Sequence, residues 1–210
     1  MITQTPLMFR EGTNDLEVWK EQGSAYKGLP YDNAIVMDIG CHAGFFARYA
    51  LENGAKHVTS FEPHPDNYNQ AALHLKGMAS TLYNVAVTSQ SGVVKLYSNQ
   101  GSNRGSHSLF IKGGRTSMDV LAISFEEALA KEAFTVVKID IEGGEYALDM
   151  TLLPDSVKHI AMELHLNKKE WRYSYAPRMV KTIEGLGFTP IKTPKIGDKN
   201  WYTQGVWSRP

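Results

Sequence analysis

The stretch Ile35-Val-Met-Asp-Ile-Gly-Cys-His-Ala-Gly-Phe-Phe46 constrains this chain more than any other. It opens as a short apolar run with β-branched residues, the composition of a strand buried on both faces. The run ends at Asp38, turns through Gly40 and Gly44, and continues as a helix bearing Phe45, Phe46, Tyr49 and Ala50. A glycine turn from the carboxyl end of a strand into a helix amino terminus is where open α/β sheets hold nucleotide-like ligands. The spacing excludes two ligand classes. A dinucleotide fingerprint needs Gly-x-Gly-x-x-Gly, and His42 stands at the middle glycine. A phosphate loop needs Lys and then Ser or Thr after its last glycine, where Phe45 and Phe46 stand instead.

The next element points the same way. His57-Val-Thr-Ser-Phe-Glu62 reads as a second strand ending in an acid, 24 residues beyond Asp38. A carboxylate about 20 residues on, at the end of the second strand, suits the two hydroxyls of a ribose.

With 210 residues the chain has enough length for one full core and an appendage. It contains no apolar run of bilayer-spanning length, and its start lacks a basic region followed by an apolar one. Cys41 is the single cysteine, so an internal disulfide is excluded, which fits a reducing cytoplasm. Its place inside the glycine turn suits a small side chain beside the ligand better than a catalytic thiolate. Net charge is zero but uneven: from Leu166 to Pro210 there are nine Lys or Arg against three acids. That basic end admits an anionic partner, whereas zero overall charge argues against a dedicated nucleic-acid binder.

In chain order, residues 1–34 read as an amino-terminal brace or lid with a helix beginning near Thr13, Asn14 or Asp15. Residues 35–210 read as the main domain. Pro65 suits the first position of a second helix. A third strand is expected over Ser80–Val87, with Asn84 near its carboxyl edge. Residues of about 90–118 depart from strand–helix alternation and read as a β-rich insertion, with strands at Gly92–Tyr97, Ser108–Lys112 and Asp119–Ser124. A polar loop over 99–108 would overhang the site, with His107 as a minor candidate base. Ser124 and Glu127 form a capping box. Strands Phe134–Glu142 and Val157–His165 then end in acids and a histidine, residues 176–186 suit a helix, and the last two strands pair antiparallel. The sum is an α/β fold: a seven-stranded, mainly parallel Rossmann-like sheet with helices on both faces.

At the carboxyl edge of such a sheet Asp38, Glu62, Asn84, Asp140, Glu142, Glu145, Glu163 and His165 converge. Glu145 reads either as part of the site or as a charge at a helix start. Asp-x-Gly-x-x-x-Gly resembles the cofactor loop of class I methyltransferases. More specifically, the chain resembles the FkbM family of S-adenosylmethionine-dependent methyltransferases from about residue 9 to 190. The resemblance is carried by Phe9-Arg-Glu-Gly-Thr-Asn-Asp15, Val36–Phe45, Ser60-Phe-Glu-Pro63, Asn84-Val-Ala86, Val120–Leu129 and Lys138-Ile-Asp-Ile-Glu-Gly-Gly-Glu145. Cys41-His42 departs from the family's usual small residue and Asn.

The resemblance implies that Asp38, Gly40, Cys41, His42, Gly44, Phe45, Glu62, Pro63, Asn84, Ala86 and Asp140 hold S-adenosylmethionine. It also implies O-methylation of a hydroxylated small molecule such as a saccharide or polyketide. Proton removal from that hydroxyl would fall to His165, whose ordinary pKa suits the task, then to Asp140 or Glu163. Asp140, Glu163 and His165 are also a donor set for a divalent metal, the second mechanism. Trp171, Tyr173 and Tyr175 suit a stacking wall for a sugar or simple packing. The rivals are an RNA methyltransferase on the same fold, favoured by the basic end, and a cofactor-binding protein without catalysis.

Overall fold

The computed structural model describes residues 6–98, 106–110, 116–166, 172–197 and 201–210. In chain order the elements are α1 (Asp15–Ala25), β1 (Ile35–Ile39), α2 (Phe45–Glu52), β2 (His57–Phe61), α3 (Pro65–His74), β3 (Ser80–Tyr83), β4 (Ala86–Thr88) and β5 (Gly92–Ser98). They continue with β6 (Thr116–Ser124), α4 (Phe125–Leu129), β7 (Val136–Ile139), β8 (His159–His165), α5 (Arg172–Gly185), β9 (Thr189–Lys192) and β10 (Tyr202–Ser208). Two 3₁₀ turns, Glu145–Ala147 and Met150–Leu152, stand between β7 and β8.

Seven strands form the main sheet in the order β3-β2-β1-β7-β8-β10-β9. The first five run parallel, and β10 enters antiparallel between β8 and β9. Successive residues of β1 serve opposite faces: Val36 packs with Phe46, Ala47 and Ala50 of α2, while Met37 and Ile39 join a larger core with Phe134, Phe188 and Trp207. Both faces are covered, so these strands are largely apolar, and Asp38 of β1 and Lys138 of β7 are buried exceptions. Among the described residues no helix is long and apolar enough to cross a membrane.

The amino-terminal segment packs on the main sheet's helices. Trp19 meets Phe45 at 6.2 Å and Tyr49 at 6.3 Å between ring centroids, and Phe9 meets Phe45 at 5.8 Å. A separate three-stranded sheet, β4-β6-β5, draws in Ala86–Thr88 and the strand up to Ser124, beyond the 90–118 insertion expected.

Three strand expectations need correction. The strand expected over Ser80–Val87 is two, because Asn84 Nδ2 donates to the carbonyls of Glu62 (2.8 Å) and Pro63 (3.2 Å) and turns the chain from one sheet to the other. The strand expected over Phe134–Glu142 stops at Ile139, where the chain bends through Glu142 (φ 52°) and Gly143 (φ 94°). Of the strand expected over Ser108–Lys112, the described part is a single bridge from Ser108 to Tyr97 and a bend; residues 111–115 and most of the 99–108 loop lie outside the described residues.

On β10, the Trp207 ring folds back over Gly205, where an added Cβ would lie 2.1 Å from the indole. Trp207 is fully buried, so the ring has nowhere to go. Gly205→Ala should therefore cost about 1–3 kcal/mol and lower Tm by several degrees in a thermal melt. An unchanged Tm would show that the ring relaxes freely.

Candidate active site

The glycine turn lies against the end of β7. A Cβ on Gly40 (φ 80°) would fall 1.9 Å from the Asp140 carbonyl oxygen, so only glycine lets the two chains cross here. Lys138 ties them together. Its buried Nζ donates to the Gly40 carbonyl at 2.8 Å and lies 3.1 Å from Asp38 Oδ1 and 3.6 Å from Asp140 Oδ2. Burial opposes the ammonium, but the two carboxylates outweigh it and raise its pKa. Tyr26, carried in behind α1, donates from its hydroxyl to Asp140 Oδ2 at 3.2 Å. Lys138 and Tyr26 were not expected from the sequence as site residues. The available signal was a lysine inside an otherwise apolar strand.

Glu62 follows directly on β2, and both its oxygens are engaged: Oε2 accepts from His42 N and Oε1 from His64 N, each at 2.9 Å. Burial pushes its carboxyl up to about 7 against those hydrogen bonds. His42 itself (φ 52°) accepts at Nε2 from Arg10 Nη2 at 2.8 Å. The same guanidinium donates to both oxygens of buried Asp15 at 2.8 Å and, at 2.7 Å, to Asn67 Oδ1 on α3. Burial and the Arg10 charge hold His42 down at about 4, so the ring is neutral. The segment Phe9–Asp15 thus clamps the glycine turn.

His165 closes β8 among carboxylates. Nδ1 lies 3.2 Å from Glu145 Oε1, and Nε2 lies 3.3 Å from Glu163 Oε1 and 3.4 Å from Glu142 Oε2. Buried Glu145 also accepts from His165 N at 2.7 Å and from Gly143 N at 2.8 Å, which gives it a role beyond starting its 3₁₀ turn. Burial disfavours the charged ring, yet Glu145 and Glu142 outweigh it and hold the imidazolium well above the ordinary histidine range. The expectation of His165 as the base rested on an ordinary pKa, whereas the carboxylates around the ring favour its protonated form. Glu163 has its pKa raised by burial and by the Asp140 charge, against the hydrogen bond from His165, and Gln204 Nε2 donates to its Oε2 at 2.9 Å.

Around these groups lies one cavity of about 580 Å³, which Tyr26, Glu142 and Gln204 help to line. Of the expected residues Gly40, His42, Glu62, Pro63, Ala86, Asp140, Glu163, His165 and His107 line it. Asp38, Cys41, Gly44, Phe45 and Asn84 do not. Asp38 and Cys41 are buried beneath the turn, where burial, with the Asp38 and Glu62 charges, pushes the Cys41 thiol well up and makes it a poor nucleophile. Gly44 packs against Ala71, Phe45 faces Phe9 and Trp19, and Asn84 is turned to backbone carbonyls. Glu17 and Glu21 of α1 and Trp201 and Tyr202 at the start of β10 line it as well, unexpected from the sequence. Tyr175 is exposed beside the Arg178 guanidinium; Trp171 and the Tyr173 side chain lie outside the described residues. Asp140, Glu163 and His165 bring one ligand atom each within 4.8 Å of one another. A cation at Nε2 would have to replace the proton that faces Glu163 and Glu142.

The sequence profile described as the methyltransferase FkbM domain matches residues 38–190. No curated protein sequence matches the chain. Among solved structures, it resembles an S-adenosylmethionine-dependent methyltransferase from Listeria monocytogenes at 12% identity and TM-score 0.54, covering 91% of this chain and 97% of that one. Magnesium protoporphyrin IX methyltransferase from Synechocystis PCC 6803 with bound S-adenosylhomocysteine gives 11% identity and TM-score 0.52 over 98% and 89%. An rRNA methylase from Streptococcus thermophilus gives 10% and 0.52 over 96% and 98%. At such identities the likeness is one of fold.

The carboxylate cage predicts a protonated His165 ring in NMR spectra at pH 7.5, with Glu145→Gln moving its titration downward. Because the folded-state pKa lies above the usual 6.5, the stabilisation from this ring is complete below about pH 6.5 and is lost as pH rises through the folded value. The stability gap between wild type and Glu145→Gln should accordingly narrow toward alkaline pH. A ring that titrates near 6.5 in the wild type would contradict the cage.

Proposed function

The chain belongs to the FkbM methyltransferase family, and we propose that it moves the methyl group of S-adenosylmethionine to a hydroxyl of a small polyhydroxylated acceptor, a saccharide or polyketide-type molecule. The observation that carries the choice of a hydroxyl is Glu163, a half-buried carboxylate of raised pKa held on both oxygens within the cavity that the glycine turn borders.

The residues fit the cofactor. Gly40 leaves the backbone open, Glu62 suits ribose hydroxyls, Pro63 with Val85–Val87 offers an apolar slot for adenine, and Asp140 suits the ammonium. Bound S-adenosylmethionine supplies the electrophilic sulfonium methyl group. The chain's own work is alignment and proton removal. An alcohol is hardly ionised at neutral pH, so Glu163 would take the hydroxyl proton as the C–O bond forms and the methyl–sulfur bond breaks, with S-adenosylhomocysteine as the leaving group. His165 keeps Glu163 oriented and offsets the surrounding negative charge, and Tyr26 with Lys138 holds Asp140 away from the same role.

Among the described lining residues there are six carboxylates, Glu17, Glu21, Glu62, Asp140, Glu142 and Glu163, and neither Lys nor Arg. Nucleic-acid affinity comes chiefly from neutralising phosphates, so this lining favours a small acceptor over RNA. A fixed, basic carboxylate also favours catalysis over cofactor binding alone.

S-Adenosylhomocysteine at 100 times its Kd should add about 2.7 kcal/mol of stability, whereas NADH should add none. With a hydroxylated acceptor, Glu163→Gln should lower kcat by about 10²–10⁴-fold while the S-adenosylhomocysteine Kd stays the same; full turnover in that variant would remove Glu163 from the chemistry. Since the Glu62 carboxyl stands at about 7 and the ribose needs the ionised form, calorimetry should find affinity falling as pH drops below about 7. Glu62→Gln should bind weakly with a flat pH profile, and an unchanged slope would place the titrating group elsewhere.

A further inference from the structure

The cavity has a second half, away from the glycine turn, with a chemistry of its own. β10 runs antiparallel, so its first residue, Tyr202, pairs with His165 at the functional edge of the sheet. It is the third strand from β1, which at about 4.8 Å per strand sets it roughly 14 Å from the glycine turn. Trp201 is 78% exposed and Tyr202 49%, both lining the mouth. Side chains of that size left open beside a cavity form a stacking surface. Glu21, Asp140 and Glu163 line the same cavity as Tyr202; Glu163 most, then burial, Glu21 and Asp140, raise the pKa of its phenol against the opposing charge of His165. The nearby ammonium of Lys192 is engaged elsewhere, donating to the Ala25 carbonyl (2.8 Å) and Gln204 Oε1 (3.0 Å).

Resting on the methyltransferase reading of this cavity, we propose that the methyl acceptor carries a positively charged nitrogen beside its hydroxyl, held between Glu21 and Glu163 and the faces of Trp201 and Tyr202. Carboxylates supply the ion pair, and the indole supplies a cation–π face, a combination that selects an organic ammonium over a neutral or anionic molecule. A hydrated metal ion would make no use of the aromatic pair, and the His165 nitrogens already face Glu145, Glu142 and Glu163.

The test compares three matched probes on protein saturated with S-adenosylhomocysteine: glucosamine, glucose and glucuronate, by calorimetry at neutral pH and low salt. Glucosamine should bind about tenfold more tightly than glucose, with glucuronate weakest. Added salt should narrow that gap. Glu21→Gln and Trp201→Ala should each reduce the preference by at least about threefold, with S-adenosylhomocysteine affinity unchanged. Equal binding of glucosamine and glucose, preference for glucuronate, or binding of none of the three overturns the proposal. So does stabilisation by Mg²⁺ alone that Glu163→Gln abolishes and Trp201→Ala leaves intact, which would assign the carboxylates to a metal. The two readings fail separately: no stabilisation by S-adenosylhomocysteine removes the methyltransferase reading, whereas cofactor binding without amine preference removes only this one.

Discussion

One buried ammonium organises the cavity. Lys138 sits in a strand whose neighbours Val136, Val137 and Ile139 are fully buried, and it is itself almost inaccessible. Taking such a charge out of water costs several kcal/mol, offset here by Asp38, Asp140 and the Gly40 carbonyl. Because those partners come from β1, from the glycine turn and from the end of β7, one side chain fixes the relative position of all three. Gly40 completes the fit by lacking the Cβ that would meet the Asp140 backbone. Removing one partner would leave buried charge uncompensated, so the set behaves as a unit.

A second charged unit lies one strand further along, again one cationic side chain among carboxylates. There a single imidazolium, His165, is shared among Glu142, Glu145 and Glu163. The two units meet at Asp140, which lies within metal-ligand range of Glu163 and His165 while Lys138 and Tyr26 hold it from the other side. The division of labour follows from environment. Asp140 is tied to Lys138 and Tyr26, Glu163 to His165 and Gln204, and the carboxylates around His165 favour its charged ring. Among the described residues that line the cavity, carboxylates outnumber cationic groups.

The amino-terminal segment is part of this machinery. Arg10 joins Asp15, His42 and Asn67, and so couples the start of α1, the glycine turn and α3 through one guanidinium. Its rigid fork of donors suits that threefold contact where a lysine's point charge would not. Phe9 and Trp19 pack on Phe45 beside it, so apolar burial and the ionic clamp act on the same turn. His42 takes up the clamp through its ring nitrogen.

Local sequence determined much. The glycine turn, the capping box at Ser124, Pro65 at a helix start and the apolar runs of β1, β2, β7 and β8 could be read directly, because each rests on neighbours in sequence: periodicity, backbone freedom or a cap. The antiparallel final strand followed from two strands with no helix between them. The acids at strand ends were legible as types and positions. Their protonation was not, since the charge on His165 depends on Glu145 and Glu142 folded around it, and the raised carboxyl of Glu62 on burial that only packing creates. The inward turn of Asn84 toward backbone carbonyls and the arrival of Trp201 and Tyr202 at the cavity mouth were likewise decided by tertiary structure. The sequence by itself determined where the chain turns and which groups its strands carry to one edge; the tertiary structure decided which of them share a cavity, because desolvation and Coulomb interactions depend on distance in space and not on separation along the chain.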